Sequence, residues 1–354
     1  MDIRSISPAA TLRVAAIVFG VLIALRFLWV AHAIFVVTFL GILLGLAVAR
    51  AADYLERIRV PRSVGAPLIL GVGVALMVTI GVVLAPSLRT QVGDLAAELP
   101  KLVDEAERWL RQTPAKGLVD GPGPQQQQNG LRGELAKELR GSLRFLFPIV
   151  SSVFGAFGGL VLVLFIAMYI GVEPRLYREG ILHLVPHNHR ERAVEVVETL
   201  GVTLRQWLVA RLIAMVVIGV ITGVTLALLN VKGAAALGVL AGLLEFIPFF
   251  GPIASALPAI GVALLDSPQK ALYVVIFYFV MQQLEGTVLT PLLLEKRLDI
   301  PPVLTVVTVA ALGVVFGVIG MLIAEPLLAV VLVTTKMLYV NDVVGDEVKV
   351  GTQE

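Results

Sequence analysis

Residues 243–258, LLEFIPFFGPIASALP, place a glutamate, three prolines and a glycine inside an apolar stretch. In lipid, a backbone broken at Pro248, Gly251 and Pro252 leaves amides and carbonyls without helical partners. Hydrocarbon cannot replace those partners, so such a break survives only against protein or a water-filled cavity. Glu245, three residues upstream of Pro248, adds an ionisable group costing about 2.5–3.5 kcal/mol at mid-bilayer. Simple membrane anchoring requires neither feature. The stretch reads as a transport or ligand site.

The rest of the chain supports a membrane setting. Of 354 residues, 58% are hydrophobic and 15% charged, and the mean hydropathy is +0.92. Soluble domains average about 45–50% apolar and about 25% charged, so most of this chain faces lipid or is buried among spans. A net charge of +2 gives no sign of a nucleic-acid partner. With no cysteine, neither a disulfide framework nor a thiolate metal site is possible. At the N-terminus Arg4 and Arg13 precede the apolar run Val14–Ala31, and Ala31-His32-Ala33 imitates a cleavage site. The run is long, contains Arg26 and is followed at once by a second hydrophobic stretch, so it reads as an uncleaved first span.

A span needs about 20 apolar residues. Candidates are 12–31, 33–49, 65–86, 147–172, 205–230 and 271–290. Two further stretches, 234–265 and 303–336, would measure about 48 and 51 Å as straight helices, against a hydrocarbon core of about 30 Å. Both are punctuated near their middles, the first at Pro248–Pro252, the second at Gly317–Gly320 and Ala324-Glu325-Pro326. Each is expected to be a re-entrant helical hairpin, with a long kinked crossing as the alternative. Charge supports hairpins. With a cytoplasmic N-terminus, Arg50, Arg57, Arg59, Arg62, Arg175, Arg178, Arg190, Arg192, Lys296, Arg297, Lys336 and Lys349 fall inside. The outer turns then hold only His32, Lys232, Asp266 and Lys270.

Residues 87–146 form a polar insertion carrying nine basic and eight acidic side chains. Leucines and valines recur at helical spacing on both sides of a flexible linker, GPGPQQQQNG at 121–130. Two amphipathic helices lying on the membrane or against other subunits are expected there. A third, 187–204, leads into the span that begins near Arg205. The expected organisation is therefore an all-α membrane protein. Residues 1–86 hold N-terminal spans, 87–146 the insertion, and 147–204 a span with its cytoplasmic amphipathic helix. A transport core with the two hairpins occupies 205–340, and a polar tail 341–354.

Glu245, Glu285 and Glu325 are the intramembrane carboxylates, one in each hairpin and one in the span between them. Such residues are functional candidates by default. A helix-end position reaching the headgroups is the bland reading for Glu285. Paired interrupted segments are the best sequence pointer to a transporter site, although their glycines and prolines would equally permit tight packing. His183, His187 and His189 share a cytoplasmic connection, but no carboxylate or cysteine completes a metal set, and neither metal nor cofactor is expected. HExxH, GxSG, GxGD and GxxxxGK[ST] are all absent, so no enzyme activity is expected.

At these residues the chain resembles the autoinducer-2 exporter family of bacterial membrane proteins. Glu245-Phe-Ile-Pro248-Phe-Phe-Gly251-Pro252 is similar to its Ile-Pro-aromatic-x-Gly-Pro segment. Gln282-Gln283-Leu-Glu285 followed by Pro291 resembles its Gln-x-Glu…Pro signature. Gly313, Gly317, Gly320, Ala324 and Pro326 resemble its closing Gly-rich, Ala-x-Pro element. The resemblance implies a multi-pass protein of the bacterial inner membrane that exports small molecules, the quorum-sensing signal among them. It also implies a homo-oligomer, a pentamer, working by an elevator-like shift of paired hairpins, with sodium/proton antiport in some members. Three departures stand out: Glu295 in place of a usual glycine, Ala210-Arg211 in place of Gly-Gln, and Glu325 in place of a small or apolar residue.

The expected pathway residues are Glu245, Pro248, Gly251, Pro252, Gln283, Glu285, Gly317, Gly320, Glu325 and Pro326. The first functional expectation is a secondary exporter of a small polar organic solute, driven by an ion gradient or by the solute's own. Sodium or a proton is then a possible second partner. A monovalent cation/proton antiporter and a non-transporting membrane scaffold are the alternatives. A scaffold would gain nothing from the broken hairpins.

Overall fold

The structure, a computed structural model, describes residues 8–83, 157–289 and 301–346, together with Pro86, Thr90 and Leu292. Nearly all of the insertion at 87–146, its linker, Pro291, Glu295 and the tail beyond Asp346 lie outside the described residues. Among the described residues all regular structure is helical. In chain order the helices are α1 Pro8–Arg57, α2 Arg62–Val83, α3 Phe157–Val172, α4 Pro174–His183 and α5 Arg190–Leu228. Then come α6 Ala234–Leu244, α7 Phe250–Asp266, α8 Pro268–Leu284 and α9 Pro302–Thr334. Wider π-type turns continue α8 over Glu285–Leu289 and α9 over Thr335–Val344.

Five described segments are long and apolar enough to cross a membrane: Ala33–Arg57, Arg62–Val83, His187–Leu228, Pro268–Leu289 and Pro302–Val344. Helices α3 and α4 meet at 91° and make a sixth if they count as one broken span. The chain is a polytopic all-α membrane protein. Prolines start several of these helices, where their missing N–H and fixed φ cost nothing: Pro174, Pro268 and Pro302 each stand in the first turn. At α8, Ser267 also caps, its hydroxyl accepting from the Lys270 amide at 3.2 Å.

One expectation fails at the N-terminus. The turn placed at His32, between spans 12–31 and 33–49, is not formed, and Pro8–Arg57 is a single helix of 50 residues. Ala31-His32-Ala33 contains neither glycine nor proline, so nothing there interrupts the hydrogen-bond ladder. The amphipathic helix expected over 187–204 does run unbroken into the following span, as α5.

Small residues set the closest helix contacts. On α1, a Cβ at Gly41 would meet the Ile166 side chain at 2.7 Å, and one at Gly45 would meet Ile170 at 2.8 Å, so α1 and α3 pack tightly. Leu43 of α1 then joins Leu204, Trp207 and Leu208 of α5 in one buried cluster, against which Phe246 and Val330 also pack. A second cluster unites Leu226, Leu237, Ala259, Val262, Ala263 and Val274, drawn from α5, α6, α7 and α8.

The ends of the core are pinned by charge. At one end Lys270 donates to Asp266 at 2.8 Å and to the Asn230 carbonyl at 3.1 Å, and Lys232 lies 3.8 Å from Asp266. Those contacts tie the α5–α6 turn to the α7–α8 turn. At the other end Arg192 donates to Asp342 and to the Met337 carbonyl. Val196, Val333 and Met337 pack there beneath the ion pair.

Candidate transport site

Both punctuated stretches fold back on themselves. In the first, α6 ends at Leu244 and α7 begins at Phe250, with the turn between them closed by Ile247 N–H to Leu244 O and Gly251 N–H to Ile247 O. Phe249 sits at φ 61°, ψ −40°, a conformation a bulky L-residue rarely adopts. Gly251 lies where any side chain would strike the Leu244 carbonyl, so only hydrogen allows the second arm this close to the first. Pro248 is buried in the turn, and Pro252 half-buried in the first turn of α7.

In the second stretch, α9 breaks at Gly317, whose φ 64° and ψ −149° are non-helical and accessible in practice to glycine alone. A Cβ on Gly320 would strike the Leu312 carbonyl. Those residues are eight apart and would be separated by about 12 Å along a straight helix, so the arms double back at Gly317. Met321 reaches across to Gly313, confirming the fold-back from the other arm.

The two tips meet. Ile247, from the first tip, is buried with Val309 and Ala324 of α9, with Phe250, Leu312, Val318, Met321 and Leu322 packed around them. Just beneath this contact lies Arg211 of α5. Its Nη1 is 3.5 Å from Glu245 Oε1, its Nη2 is 3.5 Å from Glu325 Oε2, and its Nε donates to the Phe246 carbonyl at 3.2 Å. The three side chains are 6%, 1% and 11% exposed, so one guanidinium bridges the two hairpins out of water. Glu285, at the start of the π-type turn, is close enough for its charge to act on Glu245. Gln282 Nε2 lies 3.4 Å from Glu285 Oε2.

The cluster is poorly saturated. Both Glu245 oxygens, Glu325 Oε2 and Arg211 Nη2 are buried without a hydrogen-bond partner. Burying charge costs several kcal/mol per ion after relaxation, and it is recovered only with good geometry and full hydrogen bonding. Three carboxylates against one guanidinium also leave the site short of positive charge. Such an arrangement suits a switch better than a fixed strut.

Hydrogen bonds brace the surrounding walls. Tyr278 of α8 donates to the Ser255 carbonyl at 3.2 Å, and Ser255 donates to the Pro252 carbonyl at 3.0 Å. Trp207 is buried edge-on to Phe246, ring centroids 5.7 Å apart, and holds the residue whose carbonyl Arg211 uses.

Of the ten pathway residues expected from sequence, the structure brings Glu245 and Glu325 to Arg211, with Glu285 on the Glu245 side. Pro248, Gly251, Pro252, Gly317 and Gly320 shape the tips, and Pro326 is buried inside α9 beside Glu325. Gln283 does not join them: its side chain is exposed on α8, and Gln282 makes the polar contact instead. Arg211 is the site member that sequence reasoning misses. It is legible as a departure from the Gly-Gln pattern, and an arginine inside the apolar run 205–230 meets the same test applied to the carboxylates.

Two hairpins packed together around buried charge, within a polytopic bundle, are the arrangement expected of a membrane transporter. Matching is extensive at the family level. The chain belongs to the AI-2E family transporters, whose family model matches residues 16–339. It is 24% identical to YueF of Bacillus subtilis (strain 168) over 282 residues, 77% of this chain and 76% of that protein. It is 28% identical to MT0215 of Mycobacterium tuberculosis (strain CDC 1551 / Oshkosh) over 309 residues, 85% of this chain and 83% of that one. Both carry names that mark them as presumed transport proteins. A shorter match, 28% over 126 residues, covers 35% of this chain and 37% of the AI-2 transport protein TqsA of Escherichia coli (strain K12).

Proposed function

We propose that this chain is a secondary exporter of a small polar organic solute, an autoinducer-2-like signal or a related metabolite. It acts in the bacterial inner membrane, as a homo-oligomer, with its C-terminal end cytoplasmic. The observation that carries the reading is the bridge from Arg211 to Glu245 and Glu325, which joins the two hairpins with polar atoms left over. Unused backbone and side-chain groups at a break are what a polar solute needs for recognition inside a membrane. The hairpins enter from opposite faces and, with the charge bridge between them, travel together as an elevator-like unit against α1 and α3. Kinship with the AI-2 transport protein TqsA supports the solute class.

A monovalent cation/proton antiporter is the second reading. The shortage of positive charge around Glu245, Glu285 and Glu325 favours it, because buried unbalanced charge is neutralised by a proton or by a counter-ion. One experiment separates the two. Proteoliposomes loaded with autoinducer-2 are assayed for solute efflux and, in parallel, for proton flux with and without sodium. Solute efflux above protein-free liposomes supports export. Sodium-dependent proton flux without solute efflux supports the antiporter, and silence in both assays removes transport by either route.

A further inference from the structure

Arg211 puts a positive charge between the two hairpins, and it does so on a tether. Its guanidinium stands 3.5 Å from each of Glu245 and Glu325, which belong to different hairpins, and it comes from a third element, α5. Among the described residues no group of three histidine, cysteine, aspartate or glutamate side chains is close enough to hold a metal ion. The positive charge within 4 Å of both carboxylates is that of Arg211. Helix α5 is also fixed against the first hairpin: a Cβ on Gly238 would lie 2.5 Å from Gly223 Cα, and one on Gly242 would lie 2.6 Å from the Met215 carbonyl. With α5 and α6 locked backbone to backbone, Arg211 and Glu245 keep their separation. The Arg211–Glu325 contact is then the one that ties the second hairpin to that pair. Glu325 Oε2 and Arg211 Nη2, the two atoms of that contact, both lack hydrogen bonds.

We propose that Arg211 is a built-in counter-cation that holds the first hairpin's tip against the second hairpin in place of an inorganic monovalent cation. Closing the junction needs no bound ion, because the guanidinium already places a positive charge between the two carboxylates that face each other. Guanidinium suits this role because it stays charged, is weakly hydrated, and offers several donors in a planar fork to two carboxylates at once. Removing it leaves two buried carboxylates that repel, and a site open to a small cation of the lithium, sodium or potassium class. The proposal rests on the reading of the hairpins as the moving core, but its test needs neither a solute nor transport.

The absence of native cysteine makes the test direct. Cysteines at Ile247 and Val309, which share the tip cluster, are joined by a short membrane-permeant thiol cross-linker in purified protein. The cross-linking rate then reads tip contact. In the otherwise unaltered chain the rate should be the same in choline, lithium, sodium and potassium chloride. With Arg211→Gln it should fall about tenfold in choline, as expected when a buried charge loses its partner, and recover in at least one of the three alkali salts. Adding Glu245→Gln and Glu325→Gln to that variant should restore cross-linking in choline, which separates lost charge balance from lost folding. An unchanged rate for Arg211→Gln in choline overturns the proposal. So does a lost rate that no alkali cation restores, whether or not the triple variant recovers. Transport of autoinducer-2 by the unaltered chain can succeed or fail independently of all three results.

Discussion

Gly223 and Gly238 face each other so closely that a methyl group on Gly238 would lie 2.5 Å from Gly223 Cα and 2.8 Å from the Gly219 carbonyl. Each contact is with backbone, which cannot rotate away as a flexible side chain would. Close approach of this kind is how helices associate in lipid, where no hydrophobic drive exists between them. It also makes the α5–α6 pair a single rigid piece. Gly238→Ala should therefore destabilise the protein by about 1–3 kcal/mol, the usual cost of overpacking. Thermal unfolding in detergent reads the loss, and Gly180→Ala is the control, since a Cβ there meets nothing within 4 Å.

The hairpin tips make opposite demands on their backbones. Gly317 uses a conformation closed to L-residues, so Gly317→Ala should cost about 1–3 kcal/mol. Phe249 holds a positive φ with a side chain that is 43% exposed. Phe249→Gly should relieve strain of about 1–2 kcal/mol and leave stability equal or higher. Opposite shifts in unfolding temperature for the two variants would confirm that both tips are held, not fraying. Parallel shifts would mean that packing, not backbone, decides at one of them.

Gly251 gives a sharper mutation than the break's prolines. From sequence alone, Pro248→Ala with Gly251→Ala is expected to let a continuous helix form. In the structure a side chain at Gly251 strikes the Leu244 carbonyl, so Gly251→Ala by itself should spring the two arms apart. Membrane insertion should persist, because apolarity is raised, while flux in proteoliposomes should fall by at least about tenfold if the tip geometry is the working part. Wild-type flux from a well-folded Gly251→Ala protein would remove the break from the mechanism.

The carboxylates are not equivalent once Arg211 is in view. Glu325→Gln removes the partner across the hairpin junction and leaves Arg211 paired with Glu245 alone. Glu245→Gln removes the more deeply buried charge, on the arm fixed to α5, and leaves Arg211 facing Glu325. Each removes one of two carboxylates that share a single guanidinium, so Arg211 keeps a buried partner and the loss should stay below the cost of about 3–5 kcal/mol for leaving a buried charge unpaired. Arg211→Gln should be worse than either for stability, because it strands both carboxylates with no cation between them. The order of unfolding temperatures for the three variants tests this. Arg211→Gln as the mildest of the three would show that the bridge contributes nothing to holding the junction.

Much of this is legible in the sequence, for identifiable reasons. A break leaves a mark in composition: Pro248, Gly251 and Gly317 stand out against leucine and valine, and all three sit where the chain turns. Charge in an apolar run is equally visible, so Glu245, Glu285 and Glu325 can be nominated from position alone. What a linear reading does not contain is which charges meet. Arg211 lies 34 residues before Glu245 and 114 before Glu325, and only the packing of α5 against both hairpins brings them together. The choice between Gln282 and Gln283 depends on a one-residue rotation about α8, about 100° of helix. The missing turn at His32 has a different cause, since the length of the apolar run argues for two spans while its residues, all compatible with helix, give no place to stop.

Orientation in the membrane supplies the last test. Lys232, Asp266 and Lys270 cluster at one end of the core, and Arg192 and Asp342 at the other. The second end also carries Arg175, Arg178 and Arg190 nearby in the chain, and basic residues are retained on the cytoplasmic side. The Lys232 side chain is 81% exposed and Asp346 lies exposed beyond the last turn, so cysteines at those two positions should perturb little. In a chain with no native cysteine, Lys232→Cys should react with an impermeant maleimide in intact cells, and Asp346→Cys only after permeabilisation. Labelling of both from outside would put the two ends of the core on one face, and the arrangement of oppositely entering hairpins would fall with it. Reversed labelling would keep the hairpins paired but turn the protein over, making the Lys232 end cytoplasmic against the charge bias.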